Sequence, residues 1–295
     1  MRLRRIWLGI GASVLASTAA GADVRPLSPL QGPDGSAIGP DRAGTDQVGS
    51  GGPFDPAAKI LLAGGEGGEG GEGGEGGEGG VAAADAERDP VAWMTAVEII
   101  VAHYAAGLEA YRAGETTAGA EMFAHGHSEV FADLEPLFEK RGLGALGPAM
   151  TSAIGKAVEG VPASEIEAEV ANVMSILERA EKEGLDGATS VATRAAVLAD
   201  LLDRAAAQYG ILARVKGYEP YLDGLGFLRA AERIGATLIP EIESRHADAA
   251  KSMRAALELS AKAFPGAKRP DERPFETPVL LAAASKAKLA AFGVK

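Results

Sequence analysis

The chain has 295 residues, 46% of them hydrophobic but only 5% aromatic, with no cysteine and a formal net charge of −12. Without cysteine there is no disulfide, thiolate metal site, covalently attached haem or lipidated amino terminus. The acidity disfavours nucleic acid, which is bound through basic groups that displace counterions, and favours a weak attraction for cations.

Residues 1–22 read as a secretory signal. Arg2, Arg4 and Arg5 make a basic start, residues 6–18 an apolar stretch about half the length that spans a bilayer, and Ala20-Gly21-Ala22 a small-residue cleavage site. The Arg4-Arg5 pair fits either twin-arginine export or a general export signal. The expected location is periplasmic or secreted, with no transmembrane segment in the mature chain. Loss of the three leader arginines takes the charge from −12 to −15.

Residues 23–88 are rich in Gly, Pro, Asp and Ser and poor in large apolar side chains. Such a segment buries too little surface to offset the entropy of ordering, and it reads as a disordered linker. Within it Glu66, Glu69, Glu72, Glu75 and Glu78 punctuate a Gly-Gly-Glu repeat. The repeat is a solvated, self-repelling tether, or a loose collector of divalent cations.

The folded domain is expected over residues 89–266. Asp89-Pro90 is a helix start, with Asp as N-cap and Pro at the first helical position. Trp93, Val97, Ile100, Val101, Tyr104, Leu108 and Tyr111 make one apolar stripe, ended by Gly114. A second helix over residues 116–141 carries Phe123, His127, Val130, Phe131, Leu134, Leu137 and Phe138, and Gly142 stops it. The short turn between them predicts an antiparallel hairpin. Further helices begin near Pro148 and at Ser164-Glu165-Ile166-Glu167, a capping box. Residues 188–215 and 219–264 predict a second hairpin, with Pro240 kinking or interrupting its second arm. Residues 267–295 form a tail with a short helix opening at Thr277-Pro278. No segment alternates with period two, so the fold class is all-α: an up-and-down helical bundle behind a Gly-rich leader.

Residues 132–141 and 236–245 match at five of ten positions, an offset of 104 residues, and each stretch holds a proline. The match suggests two related helical hairpins in one bundle.

His103, His125 and His127 all fall in the first hairpin. A helix turns about 100° per residue, so His125 and His127 point about 200° apart and cannot share an ion unless Gly126 breaks the helix. His127 is on the core stripe; His125 faces outward with Glu121 and Glu129. His103 lies 11 residues before Gly114 and His127 lies 13 after it. At about 1.5 Å per residue, the hairpin brings them within about 3 Å in height. Two readings stand. In one, His103 and His127 with Glu129 or Asp133 hold a metal, an imidazole–carboxylate set that suits iron, zinc or copper. In the other, His127 is a core histidine satisfied by the Tyr104 hydroxyl, and His103 is ordinary surface.

Export, an acidic leader, an Ala-rich bundle with a trace of duplication and the stretch Gly126-His127-Ser128-Glu129 together resemble imelysin-like periplasmic iron-uptake proteins. That family carries a G-x-H-x-x-E motif; here it is shorter by one residue on each side of the histidine. The resemblance implies a duplicated all-helical fold and a metal-binding role, with His127 and Glu129 at the motif positions. The expected function is an exported metal-binding protein assisting uptake of iron or another divalent metal. The alternative is a metal-free module that docks an exported partner. No nucleophile–base pair, G-x-S-x-G, H-E-x-x-H or P-loop points to an enzyme.

Overall fold

A computed structural model describes residues 80–295, so the expected signal, the Gly-Gly-Glu repeat and most of the expected linker lie outside the described residues. Among the described residues there are helices and no strand. The elements are α1 (Ala83–Ala86), α2 (Pro90–Arg112), α3 (Thr116–His125), a π-helix (Gly126–Phe131), α4 (Ala132–Lys140) and α5 (Leu146–Glu159). They continue with α6 (Ala163–Glu183), α7 (Val191–Ile211), α8 (Glu219–Ile242), α9 (Ala247–Ala263) and α10 (Thr277–Ala291).

Local chemistry sets most boundaries. The Asp89 carboxylate accepts from Val91 N at 2.8 Å and Pro90 takes the first helical position, as the sequence requires. Ser190 caps α7 by accepting from Thr193 N at 3.1 Å. Gly114 and Gly142 adopt φ of +90° and +72°, a region open to glycine and strained for other residues, and each closes its helix. The expected capping box does not form. The N-cap of α6 is Pro162, two residues earlier, so Ser164 lies inside the first turn and makes no cap. α8 runs through Pro240 and ends at Ile242; the chain breaks before α9 rather than at the proline itself.

Two boundaries move. Residues 80–88, expected as linker, carry α1, which packs on α2 and α4, with Ala86 fully buried. Arg141 fixes this segment by donating to the Ala86 and Glu87 carbonyls at 3.2 and 3.0 Å. The expected tail is part of the bundle: α10 packs on α7 and α9 and buries Leu280, Ala284, Ala287 and Ala291. α2 is long and apolar enough to cross a membrane by length and composition alone, but 78% of its most apolar window is buried among other helices.

The two halves share a packing order well beyond the ten matched residues. In the first half α2 packs on α3 and α6, α3 on α5, and α5 on α6. In the second half α7 packs on α8 and α10, α8 on α9, and α9 on α10. Each half is thus a ring of four helical arms in the same order, and Pro136 and Pro240 both sit inside the second arm. The halves meet chiefly where α2 packs on α8.

The core explains why alanine is abundant and aromatics are few. Trp93 is the anchor of the first half: its Nε1 donates to the Ala180 carbonyl at 3.0 Å, Phe138 lies 4.9 Å away, and the Arg141 guanidinium sits 3.9 Å over its ring. Elsewhere small side chains let helices close in. A Cβ at Gly226 on α8 would overlap the Ala102 carbonyl on α2, so this contact between the halves depends on glycine. Two ion pairs cross the same seam: Arg229 with Glu109 at 2.5 Å, and Arg233 with the fully buried Glu98. Arg233 also reaches Glu181 of α6 at 2.7 Å. Burial pushes the Glu98 carboxyl up to about 7, against the pull of the Arg233 charge.

Candidate metal centre

The second arm of the first half does not run as one α-helix. It changes to i→i+5 bonding over Gly126–Phe131 and returns at Ala132. Three local features weaken α-bonding here. Gly126 has low helix propensity. Ser128 Oγ donates to the Ala124 carbonyl at 3.0 Å, competing with the backbone ladder. Pro136 has no amide to return to Ala132. A π-turn in an α-helix recurs at functional sites, and this one contains the Gly-His-Ser-Glu stretch.

His103 occupies the centre. It is 2% exposed on α2, directly against Gly126, where a Cβ would come within 3.2 Å of the His103 Cβ. His103 Nδ1 lies 2.8 Å from the Ile99 carbonyl. A carbonyl can only accept, so Nδ1 carries the proton and donates. The neutral ring then presents the Nε2 lone pair. Burial holds the imidazole down at about 4, helped by His125 and the Arg204 guanidinium and opposed by the Ile99 bond. Above that pH the ring is neutral, the form that binds metals, with its other nitrogen already fixed by a backbone acceptor.

Nε2 of His103 faces Glu129 Oε2 at 3.7 Å and Asp223 Oδ1 at 3.8 Å. Both distances exceed a hydrogen bond. Two donors bound tetrahedrally to one ion at about 2.1 Å are roughly 3.4 Å apart, so the spacing is close to what a shared ion spans. His125 completes the group, its ring centroid 6.3 Å from that of His103. His125 Nδ1 is buried without a hydrogen-bond partner; Glu129 Oε1 lies 3.8 Å from it and Glu219 Oε1 3.7 Å. Donor atoms of His103, His125 and Asp223 all lie within 4.8 Å of one another, and this buried group could hold a metal.

The expected set was His103, His127, Glu129 and Asp133. The structure brings together His103 and Glu129, and it corrects the reading in which His103 is ordinary surface, since that residue is buried. The widened turn and the seating of Gly126 on His103 turn His125 inward, the residue that helical geometry sends out. His127 points elsewhere: its ring packs on Phe131 at 5.2 Å, and Glu135 is the carboxylate that acts on it. Burial holds the His127 imidazole below its ordinary value, and its Nδ1 has no hydrogen-bond partner among the described residues. Tyr104 does not satisfy it, since that hydroxyl is directed at the Met150 carbonyl at 3.5 Å. Asp133 is exposed on α4, beside Glu87 and Lys140 and away from the histidines.

Asp223 was not expected. The readable signal was a carboxylate inside the apolar run Tyr221-Leu222-Asp223-Gly224-Leu225-Gly226-Phe227, where an acid is 3% exposed. Its place on α8 brings Oδ1 to 3.8 Å from His103 Nε2 across the seam. No protein-family model matches the chain, and no curated protein or solved structure does.

Proposed function

We propose that this chain is an exported protein that binds a divalent transition metal through His103, His125 and Asp223, with Glu129 as a fourth donor. The observation that carries the reading is the convergence of two imidazoles and a carboxylate around the preset Nε2 of His103. Two histidines and one carboxylate with open positions are the donor set of non-haem ferrous iron, and the same donors also suit zinc. Export is supported by the basic, apolar and small-residue order of residues 1–22. A role in iron uptake, as a binding protein, is what the resemblance to imelysin-like proteins implies; of its two motif positions Glu129 reaches the group and His127 does not.

The test is calorimetric titration of the metal-free mature chain with Zn2+ and, anaerobically, with Fe2+. One ion per chain is expected, and His103→Ala or His125→Ala abolishes the binding. Absence of saturable binding of either ion overturns the reading. Relative affinity alone does not name the physiological metal, because zinc outranks iron at most such sites.

A specific surface feature favours a second reading, a partner-binding bundle. Leu289 and Phe292 on the outer side of α10 and just beyond it are 72% and 80% exposed. Phe292 borders a cavity of about 350 Å³ lined also by Val81, Val91, Ala196, Ala199 and Lys288. An exported protein that co-purifies in the presence of chelator, and is released by Phe292→Glu, would support this reading.

A further inference from the structure

We infer that the metal held here is a joint between the two halves of the fold: its donors come from both, and the site is complete only when the halves are docked. The inference rests on the metal-binding reading above. The first half supplies His103 from α2, His125 from the end of α3 and Glu129 from the π-helix. The second half supplies Asp223 from α8, with Glu219 at its first position.

The seam differs along its length. Around Arg229 and Arg233, cations of α8 meet carboxylates of α2 directly, and the halves are joined by their own charges. Around His103, Glu129 of the first half and Asp223 of the second approach Nε2 at 3.7 and 3.8 Å. An ion bound there would take donors from both halves at once, since donor atoms of His103, His125 and Asp223 lie within 4.8 Å of one another.

Exposure is graded in the same direction. The Glu219 side chain is 54% exposed, Glu129 31%, His125 21%, and His103 and Asp223 2% each. An ion therefore enters where the amino end of α8 faces the π-turn. It passes Glu219 and His125 and comes to rest between the halves. Bound at the bottom, it ties the first turns of α8 to α2 and the π-helix, and local unfolding of this part of the seam becomes rarer.

Hydrogen exchange of the full mature chain, with and without saturating Zn2+, tests this. Zn2+ is expected to slow amide exchange on both sides of the seam, over residues 123–131 and over residues 218–227. In Asp223→Asn, Zn2+ affinity is expected to fall roughly tenfold or more, as for loss of a ligand-shell group. Protection of 218–227 is then lost while that of 123–131 persists. If wild-type protein binds Zn2+ but protection stays within the first half, or if Asp223→Asn binds like wild type, the joint is overturned and the metal site stands. If wild-type protein binds no Zn2+, the metal-binding reading fails and the joint with it. The wild-type pattern decides the matter even if the variant does not fold.

Discussion

His103 Nε2 and Asp223 Oδ1 stand 3.8 Å apart, each on a side chain only 2% exposed, one on each side of the seam between the halves. Their approach depends on backbone contact between α2 and α8, since Gly226 lies one turn from Asp223 and rests on the Ala102 carbonyl next to His103.

Gly226→Ala is therefore expected to act at a distance. Its Cβ overlaps the Ala102 carbonyl and crowds Ala106, so α2 and α8 must separate. Overpacking of this kind costs about 1–3 kcal/mol, measurable by urea denaturation. The same separation moves Asp223 off His103 and weakens Zn2+ binding in calorimetry. Full stability with unchanged affinity would show that the seam yields without disturbing the site.

His127→Phe separates the motif histidine from the buried one. The His127 ring already packs on Phe131, and its Nδ1 has no hydrogen-bond partner among the described residues. Replacing such a group by an apolar ring is expected to be neutral or stabilising. Metal affinity is expected to stay at the wild-type value. A loss of affinity comparable to that of His103→Ala would return His127 to the ligand set.

Glu98 makes stability depend on pH. Its carboxyl is raised to about 7 in the fold from an ordinary value of 4.5. Between these values the folded chain binds more protons than the unfolded one. The contribution is thus full below about 4.5 and is lost as pH rises through about 7. Glu98→Gln removes the titration and keeps an acceptor for Arg233. Urea midpoints at pH 5 and pH 8 should shift in favour of the glutamine variant as pH rises. A shift the other way would mean that Arg233 keeps Glu98 ionised throughout.

Two glycines, one inside a helix and one at a helix end, predict opposite signs. Gly155 is in mid-α5 with nothing within 4 Å of its Cβ position, so Gly155→Ala should stabilise by about 0.5–1 kcal/mol through helix propensity. A Cβ at Gly184 would collide with the Trp93 indole at 2.5 Å, so Gly184→Ala should destabilise by disrupting the Trp93–Ala180 bond. Thermal melts of the two variants check both signs.

The helical periodicity, the Asp89-Pro90 start, the glycine stops and the proline-marked repeat were legible in the chain because each is set by neighbours a few residues away. They yield the all-α class and the two hairpins. The metal centre was half legible. His103 and Glu129 stood out by residue type, but ideal helix geometry turns His125 outward and His127 inward. The π-turn at Gly126 and the seating of that glycine on His103 decide otherwise. Asp223 belongs to a distant helix, and its approach to His103 depends on how closely α8 settles on α2. Local sequence thus determined which segments are helices and where they end. Tertiary packing decided which helices meet, and so which acid faces which imidazole, because that depends on side-chain volumes summed across the seam and not on any spacing along one helix.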